Sequence, residues 1–176
     1  MHSQVTVIAS TNEPWAIDPG FLRPGRLGVA VLLGPLDLEG RRDFLLRQLQ
    51  SQLVRVSQDR GIRAGCSEER LAAWVSLEAV ARRTDGFTGA DMQRLLTMAN
   101  RALLEGIERT DRQGEASQEG QRDDEEVISE DRLLSACLPN PAHFAVALSR
   151  MSPSVTREEV DQYLRWQSKR HPNLGP

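Results

Sequence analysis

The side chains able to do chemistry are few and unevenly placed. Of 22 lysines and arginines, all but Lys169 are arginine. A phosphate-cradling loop of the form G-x-x-x-x-G-K-[ST] carries its charge on a lysine directly after glycine. No Gly-Lys pair occurs in the sequence, so its residues do not supply such a loop. His2, His143 and His171 follow no ligand spacing, and Cys66 and Cys137 are too few for a zinc site or a disulfide framework. No metal site is expected, and both thiols read as free in a reducing compartment. Three polar clusters remain. Asn12 lies in Thr11-Asn12-Glu13-Pro14, which taken alone is a turn. Arg23-Pro24-Gly25-Arg26 taken alone is a surface turn with solvated arginines. Thr88-Gly89-Ala90-Asp91 fits a helix capping box.

The elements that position these clusters read as follows. The 176 residues are 39% hydrophobic and 27% charged with net charge −3, a globular composition without a membrane-spanning run or a nucleic-acid-binding charge excess. Val5–Ala9 and Val29–Leu33 are short, β-branched and apolar, and read as strands of a mostly parallel sheet. Two strands alone are marginal in water, so residues 1–36 are expected to be the weakly stable end of a larger α/β unit. A short helical stretch is expected near Asp18–Leu22. From Asp37, an N-cap, a helix runs to about Val54 with Leu38, Leu45, Leu49 and Leu53 on one face. Helices follow over Glu68–Trp74 and after a capping Ser76, where Leu77, Val80 and Ala81 face inward. Asp85-Gly86-Phe87 breaks the pattern. The next helix carries Met92, Leu95, Leu96, Ala99 and Leu103 on one stripe. Residues 108–135 are expected to be a flexible charged insertion. Asn140-Pro141 opens a helix with Phe144, Ala147, Leu148 and Met151 inward, ended by Pro153. Thr156-Arg157-Glu158-Glu159 caps a last helix with Val160, Tyr163, Leu164 and Gln167 on one face.

Ile8-Ala9-Ser10-Thr11-Asn12, Ile17-Asp18-Pro19 and Phe21-Leu22-Arg23-Pro24-Gly25-Arg26-Leu27 together resemble the AAA+ ATPases, and within them the classic clade of the valosin-containing protein. Asp85-Gly86-Phe87-Thr88-Gly89-Ala90-Asp91 resembles the signature of that clade's helical lid, and Ser152-Pro153-Ser154-Val155 is similar to the approach to its last helix. The resemblance spans nearly the whole chain outside the charged insertion. It implies that Asn12 is the sensor-1 residue, whose amide orients the attacking water without adding charge. It implies that Arg23 and Arg26 are arginine fingers reaching a neighbouring subunit's nucleotide, where a guanidinium stabilises charge on phosphoryl oxygens. Gly89 and Ala90 match the lid turn over the nucleotide base, and Phe44 matches an apolar residue beside the adenine. Gly28 stands where the family has aspartate, and Gly34-Pro35-Leu36 replaces its Pro-Leu-Pro. In the family order, the P-loop and the acidic strand that holds magnesium precede residue 1.

The fold expected is thus an α/β remnant, the last strands of a P-loop AAA+ domain, followed by an α-helical lid, mostly α overall. Residues 1–36 would be the end of the ATPase core, 37–107 the first part of the lid, 108–135 the insertion, 136–170 the last lid helices and 171–176 a tail. The resemblance implies ATP as cofactor, bound with magnesium in the parent module, other AAA+ subunits in a hexameric ring as partners, and remodelling or unfolding of protein substrates reached through other domains. Without a P-loop the chain alone is expected to be inactive, to bind ATP weakly, and to reside in the cytoplasm or nucleus. Two other readings stay open: a non-catalytic interaction module that docks on a complete AAA+ subunit and regulates it, and an unrelated helical scaffold.

Overall fold

The computed structural model describes residues 5–59, 66–114 and 130–170. It is mostly helical, and no strand occurs among the described residues. Two compact units result: Met1–Gly34 with Val155–Pro176, and Pro35–Ser154.

Among the described residues, six helices build the larger unit: α1 (Leu38–Asp59), α2 (Glu68–Val75), α3 (Leu77–Arg83), α4 (Gly89–Gly114), α5 (Glu130–Cys137) and α6 (Pro141–Leu148). The long helices form because their leucines recur every three or four residues. Leu45, Leu49 and Leu53 of α1, and Met92, Leu95, Leu96, Ala99 and Leu103 of α4, are all buried. Burial of each large side chain contributes about 1.5–3 kcal/mol. Leu38 is 39% exposed, so the inward face of α1 starts a turn later than its leucines suggest. Asp37 does cap that helix, since its carboxylate accepts the Gly40 N–H at 2.7 Å. One polar pair crosses the interior. Gln52 Nε2 donates to Asn100 Oδ1 and to the Cys137 carbonyl, both at 2.9 Å, and Asn100 Nδ2 donates back to Gln52 Oε1 at 3.0 Å. That exchange of donors ties α1, α4 and α5 together without leaving either amide unpaired.

The helix junctions bring corrections. Ser67 caps α2 by accepting the Arg70 N–H, whereas Ser76 does not cap α3 with its side chain. Ser76 adopts φ 53°, in the left-handed region, and its N–H closes α2 by donating to the carbonyls of Ala72 and Ala73. A single residue thus joins the two helices. α6 ends at Leu148, ahead of Pro153; a side chain on Gly86 would meet the Pro153 ring at 3.6 Å. The charged segment is helical at both margins, through Gly114 and from Glu130, and 115–129 lie outside the described residues, as do residues 60–65, expected as loop, and the 171–176 tail.

The smaller unit contains a one-turn 3-10 helix, Pro14–Ala16, a series of tight turns, and α7 (Arg157–Arg170). Thr156 and Glu159 form the expected capping box, with the Thr156 N–H donating to Glu159 Oε2 at 2.7 Å and the Glu159 N–H to Thr156 Oγ1 at 3.2 Å. Trp15 packs on Tyr163 with ring centroids 5.2 Å apart. Val5–Ala9 and Val29–Leu33, read as strands, have no sheet partner among the described residues. Most of their side chains face water, Ile8 at 89% and Leu33 at 91% exposure, while Ala30 and Leu32 are half-buried. A strand exists only through bonds to a neighbour, and β-branched sequence alone does not make one. The helix expected near Asp18 is instead two successive turns, Phe21 N–H to the Asp18 carbonyl and Leu22 N–H to the Pro19 carbonyl.

Candidate functional site

The six residues singled out by sequence fall on both units. Asn12, Arg23 and Arg26 belong to the smaller, Phe44, Gly89 and Ala90 to the larger.

In the larger unit the chain enters α4 through a turn built on Gly86, whose φ of 77° favours glycine. Thr88 and Asp91 then form the reciprocal cap: Asp91 Oδ2 accepts the Thr88 N–H at 2.9 Å and its hydroxyl at 2.8 Å, and Thr88 Oγ1 accepts the Asp91 N–H at 3.3 Å. Asp91 is 4% exposed. Burial works against its charge, but the bonds from Thr88 and from Ser154 outweigh it and hold the carboxyl below its usual range. The Ser154 contribution, N–H at 3.3 Å and hydroxyl at 2.9 Å, pins the segment that follows α6 to the start of α4. Between the two cap residues lie Gly89, half-buried, and Ala90, exposed. A side chain on Gly89 would meet nothing within 4 Å, so the first turn of α4 stands beside open space. Phe44 is half-buried on α1 and packs against the hydrophobic core.

Near this turn, Arg41 is 4% exposed. It donates from Nε to the Ala81 carbonyl at 3.1 Å and from Nη1 to the Leu36 carbonyl at 2.6 Å, with Asp85 at 3.6 Å. The Leu36 N–H in turn donates to the Phe87 carbonyl at 3.1 Å. These bonds hold the segment before α1 against the turn before α4.

In the smaller unit, Asn12 is exposed and its carbonyl accepts the Tyr163 hydroxyl. Arg23 and Arg26 are both exposed on a closed turn, in which the Arg26 N–H donates to the Arg23 carbonyl at 3.1 Å and the Leu27 N–H to the Phe21 carbonyl at 3.0 Å. Gly28 lies behind it, where a side chain would come into ordinary contact with Pro24 Cα at 3.4 Å. Sequence reasoning missed Tyr163 as the support of Asn12, and Ser154 and Arg41 as supports of the cap. Their partners are 151, 63 and 40 residues away, and no local spacing signals such pairs.

Comparison with known proteins finds an AAA+ lid and AAA+ relatives. The family profile of the AAA+ lid domain matches residues 75–116. Protein CdcH of Halobacterium salinarum is 28% identical over 98% of the chain and 18% of its own length. The ATP-dependent zinc metalloprotease FtsH of Pirellula staleyi is 30% identical over 96% of the chain and 25% of its own length. A crystal structure of the FIGL-1 AAA domain in complex with ADP aligns over 77% of this chain and 35% of that one, at 25% identity and a TM-score of 0.43. The helical unit therefore contains an AAA+ lid. The chain belongs to the AAA+ ATPase family and carries the C-terminal part of an AAA+ module. It spans between an eighth and a quarter of the length of such relatives, 13% to 25%.

Proposed function

We propose that this chain serves ATP hydrolysis in a ring of AAA+ subunits, where it supplies the lid and sensor residue of one site and arginine fingers to the next. The observation that carries the reading is the open, small-residue start of α4 inside a matched AAA+ lid. Room beside Gly89 and the lack of a bulky side chain at Ala90 suit the approach of an adenine base, and Phe44 offers an apolar edge on a neighbouring helix. ATP bound with magnesium would supply the reactive phosphates. Asn12 would orient water through an uncharged amide, and Arg23 and Arg26 would stabilise the charge developing on the phosphoryl oxygens of a neighbour. In the ring, this chemistry would drive remodelling or unfolding of protein substrates in the cytoplasm or nucleus. The 1–36, 37–107, 108–135 and 136–170 segments would act as core end, lid, insertion and closing helices.

The test is to titrate the chain into a complete AAA+ ATPase and follow turnover. A change in rate that the Arg23→Ala/Arg26→Ala double variant fails to produce supports the reading, and no change at any ratio contradicts it. A second reading is a regulatory module without catalysis of its own. It predicts the same rate change with no turnover by any assembly in which this chain is the sole nucleotide-binding subunit.

A further inference from the structure

We infer that Tyr163, on α7, is the positioning residue of Asn12: its hydroxyl clamps the Asn12 peptide so that the side-chain amide is held where it can orient water. The chemical role rests on the function proposed for Asn12; the clamp stands on geometry alone. Asn12 lies in a run of turns, outside any strand or helix whose own bonds would fix it. The local bonds around it go elsewhere. The Glu13 N–H donates to Thr11 Oγ1 at 3.0 Å, and the Glu13 carbonyl accepts the Ala16 N–H at 3.0 Å. The Asn12 carbonyl takes part in neither. Among the described residues its one donor is the Tyr163 hydroxyl. Holding a carbonyl holds the rigid peptide plane it belongs to, and so limits the directions open to the Asn12 side chain. The amide of that side chain makes no hydrogen bond to a described residue, so the clamp leaves it available.

Tyr163 suits this task because it is itself fixed. It stands one turn after Glu159, whose capping box with Thr156 orders the start of α7. Its ring lies on Trp15, with centroids 5.2 Å apart and planes tilted by 36°. Trp15 follows the buried Pro14 in the 3-10 helix, three residues beyond Asn12. The stack and the hydroxyl bond thus tie one helix to the turn on either side of Glu13. A side chain carried on a helix is placed more precisely than one on a loop, and Tyr163 lends that precision to a loop residue. It touches no reacting atom; it acts through the Asn12 backbone. A displacement of about 1 Å at a group that orients a reactant can cost about 10²-fold in rate, so a single restraint of this kind matters.

The experiment compares Tyr163→Phe, Asn12→Ala and the double variant by two readouts. The first is ATP turnover with the full chain joined behind the P-loop half of an AAA+ relative and ring assembly verified. Tyr163→Phe keeps the ring on Trp15 and removes only the hydroxyl; Asn12→Ala keeps the carbonyl and removes only the amide. Tyr163→Phe should lower kcat by about tenfold or more with KM little changed. In the Asn12→Ala background it should add nothing, because no amide is left to position. A hydroxyl that only stabilised the fold would lower turnover alike in both backgrounds. The second readout is hydrogen exchange of the Glu13 amide in the chain alone. Tyr163→Phe should speed it by about threefold to tenfold, the worth of one hydrogen bond, and Asn12→Ala should leave it unmoved. Equal losses of turnover in the two backgrounds, or no loss from Tyr163→Phe where Asn12→Ala does cause one, overturn the positioning role. Glu13 exchange that ignores Tyr163→Phe overturns the clamp. Assembled rings that turn over ATP as fast with Asn12→Ala as without it sink the function proposed for Asn12 and the positioning role with it, while the exchange comparison still decides whether Tyr163 holds the turn.

Discussion

Asp91 receives four hydrogen bonds on one oxygen, from the backbone and hydroxyl of Thr88 and of Ser154. A carboxylate at a helix start would be favourable on its own, because it answers the unpaired N–H groups there. Here it also anchors a segment 63 residues away. Asp91→Ala leaves those donors without an acceptor in a buried place, and we expect it to cost about 2–3 kcal/mol, read as a lower urea midpoint with an unchanged slope. His143 offers a pH test. Its Nδ1 accepts the Asn140 N–H at 3.1 Å, while Asn140 Oδ1 accepts the N–H groups of Ala142 and His143. Burial lowers its pKa from the ordinary 6.5, and a proton on Nδ1 would cancel the acceptor. The unfolded chain therefore takes up this proton at higher pH than the folded one. The contribution to stability is complete above 6.5 and is lost as pH falls through the lowered folded value. Urea midpoints measured between pH 8 and pH 5 should fall on acidification, and the fall should shrink in His143→Gln, which keeps an acceptor that does not titrate.

At the scale of elements, α1 packs on α2, α3, α4 and α5, and α4 joins α1 to α6. Phe144, on α6, is the largest fully buried side chain among the described residues. Phe144→Ala should destabilise by about 3–5 kcal/mol in chemical denaturation, the transfer loss plus an unfilled cavity. These helices were legible in the sequence because their signals are local: a stripe at 92, 95, 96, 99 and 103, a Thr-x-x-Asp box, and Asn before Pro. The ties between elements were not. Gln52 meets Asn100, Arg41 meets Ala81, and Tyr163 meets Asn12 only after the chain has folded. The two apolar stretches read as strands show the converse error. Their composition suits a pleated surface, but the surface belongs to a partner strand, and among the described residues there is none. Val5–Ala9 and Val29–Leu33 should accordingly exchange their amides far faster than Leu45–Leu49 or Leu95–Ala99, and comparable protection would show that they have found a sheet.

At the scale of the whole molecule, the candidate residues divide between two units, Asn12, Arg23 and Arg26 in the smaller and Phe44, Gly89 and Ala90 in the larger. The resemblance carried by the Gly89-Ala90 turn agrees with the AAA+ lid match over 75–116. The roles proposed for Asn12, Arg23 and Arg26 rest on their motif and on the exposure of their turns. Phosphate contacts contribute a large share of nucleotide affinity, and no Gly-Lys loop is present to make them. Calorimetry on the chain alone should therefore show no micromolar ATP binding.

The most direct measurement is ATP turnover by a chimera in which this chain follows the P-loop half of an AAA+ relative, with ring assembly verified by mass photometry. The account predicts turnover that falls by about 10³-fold or more on Arg23→Ala, the loss expected of a guanidinium acting on the transferring phosphoryl group. Assembled rings that hydrolyse ATP equally well with and without Arg23 would contradict it.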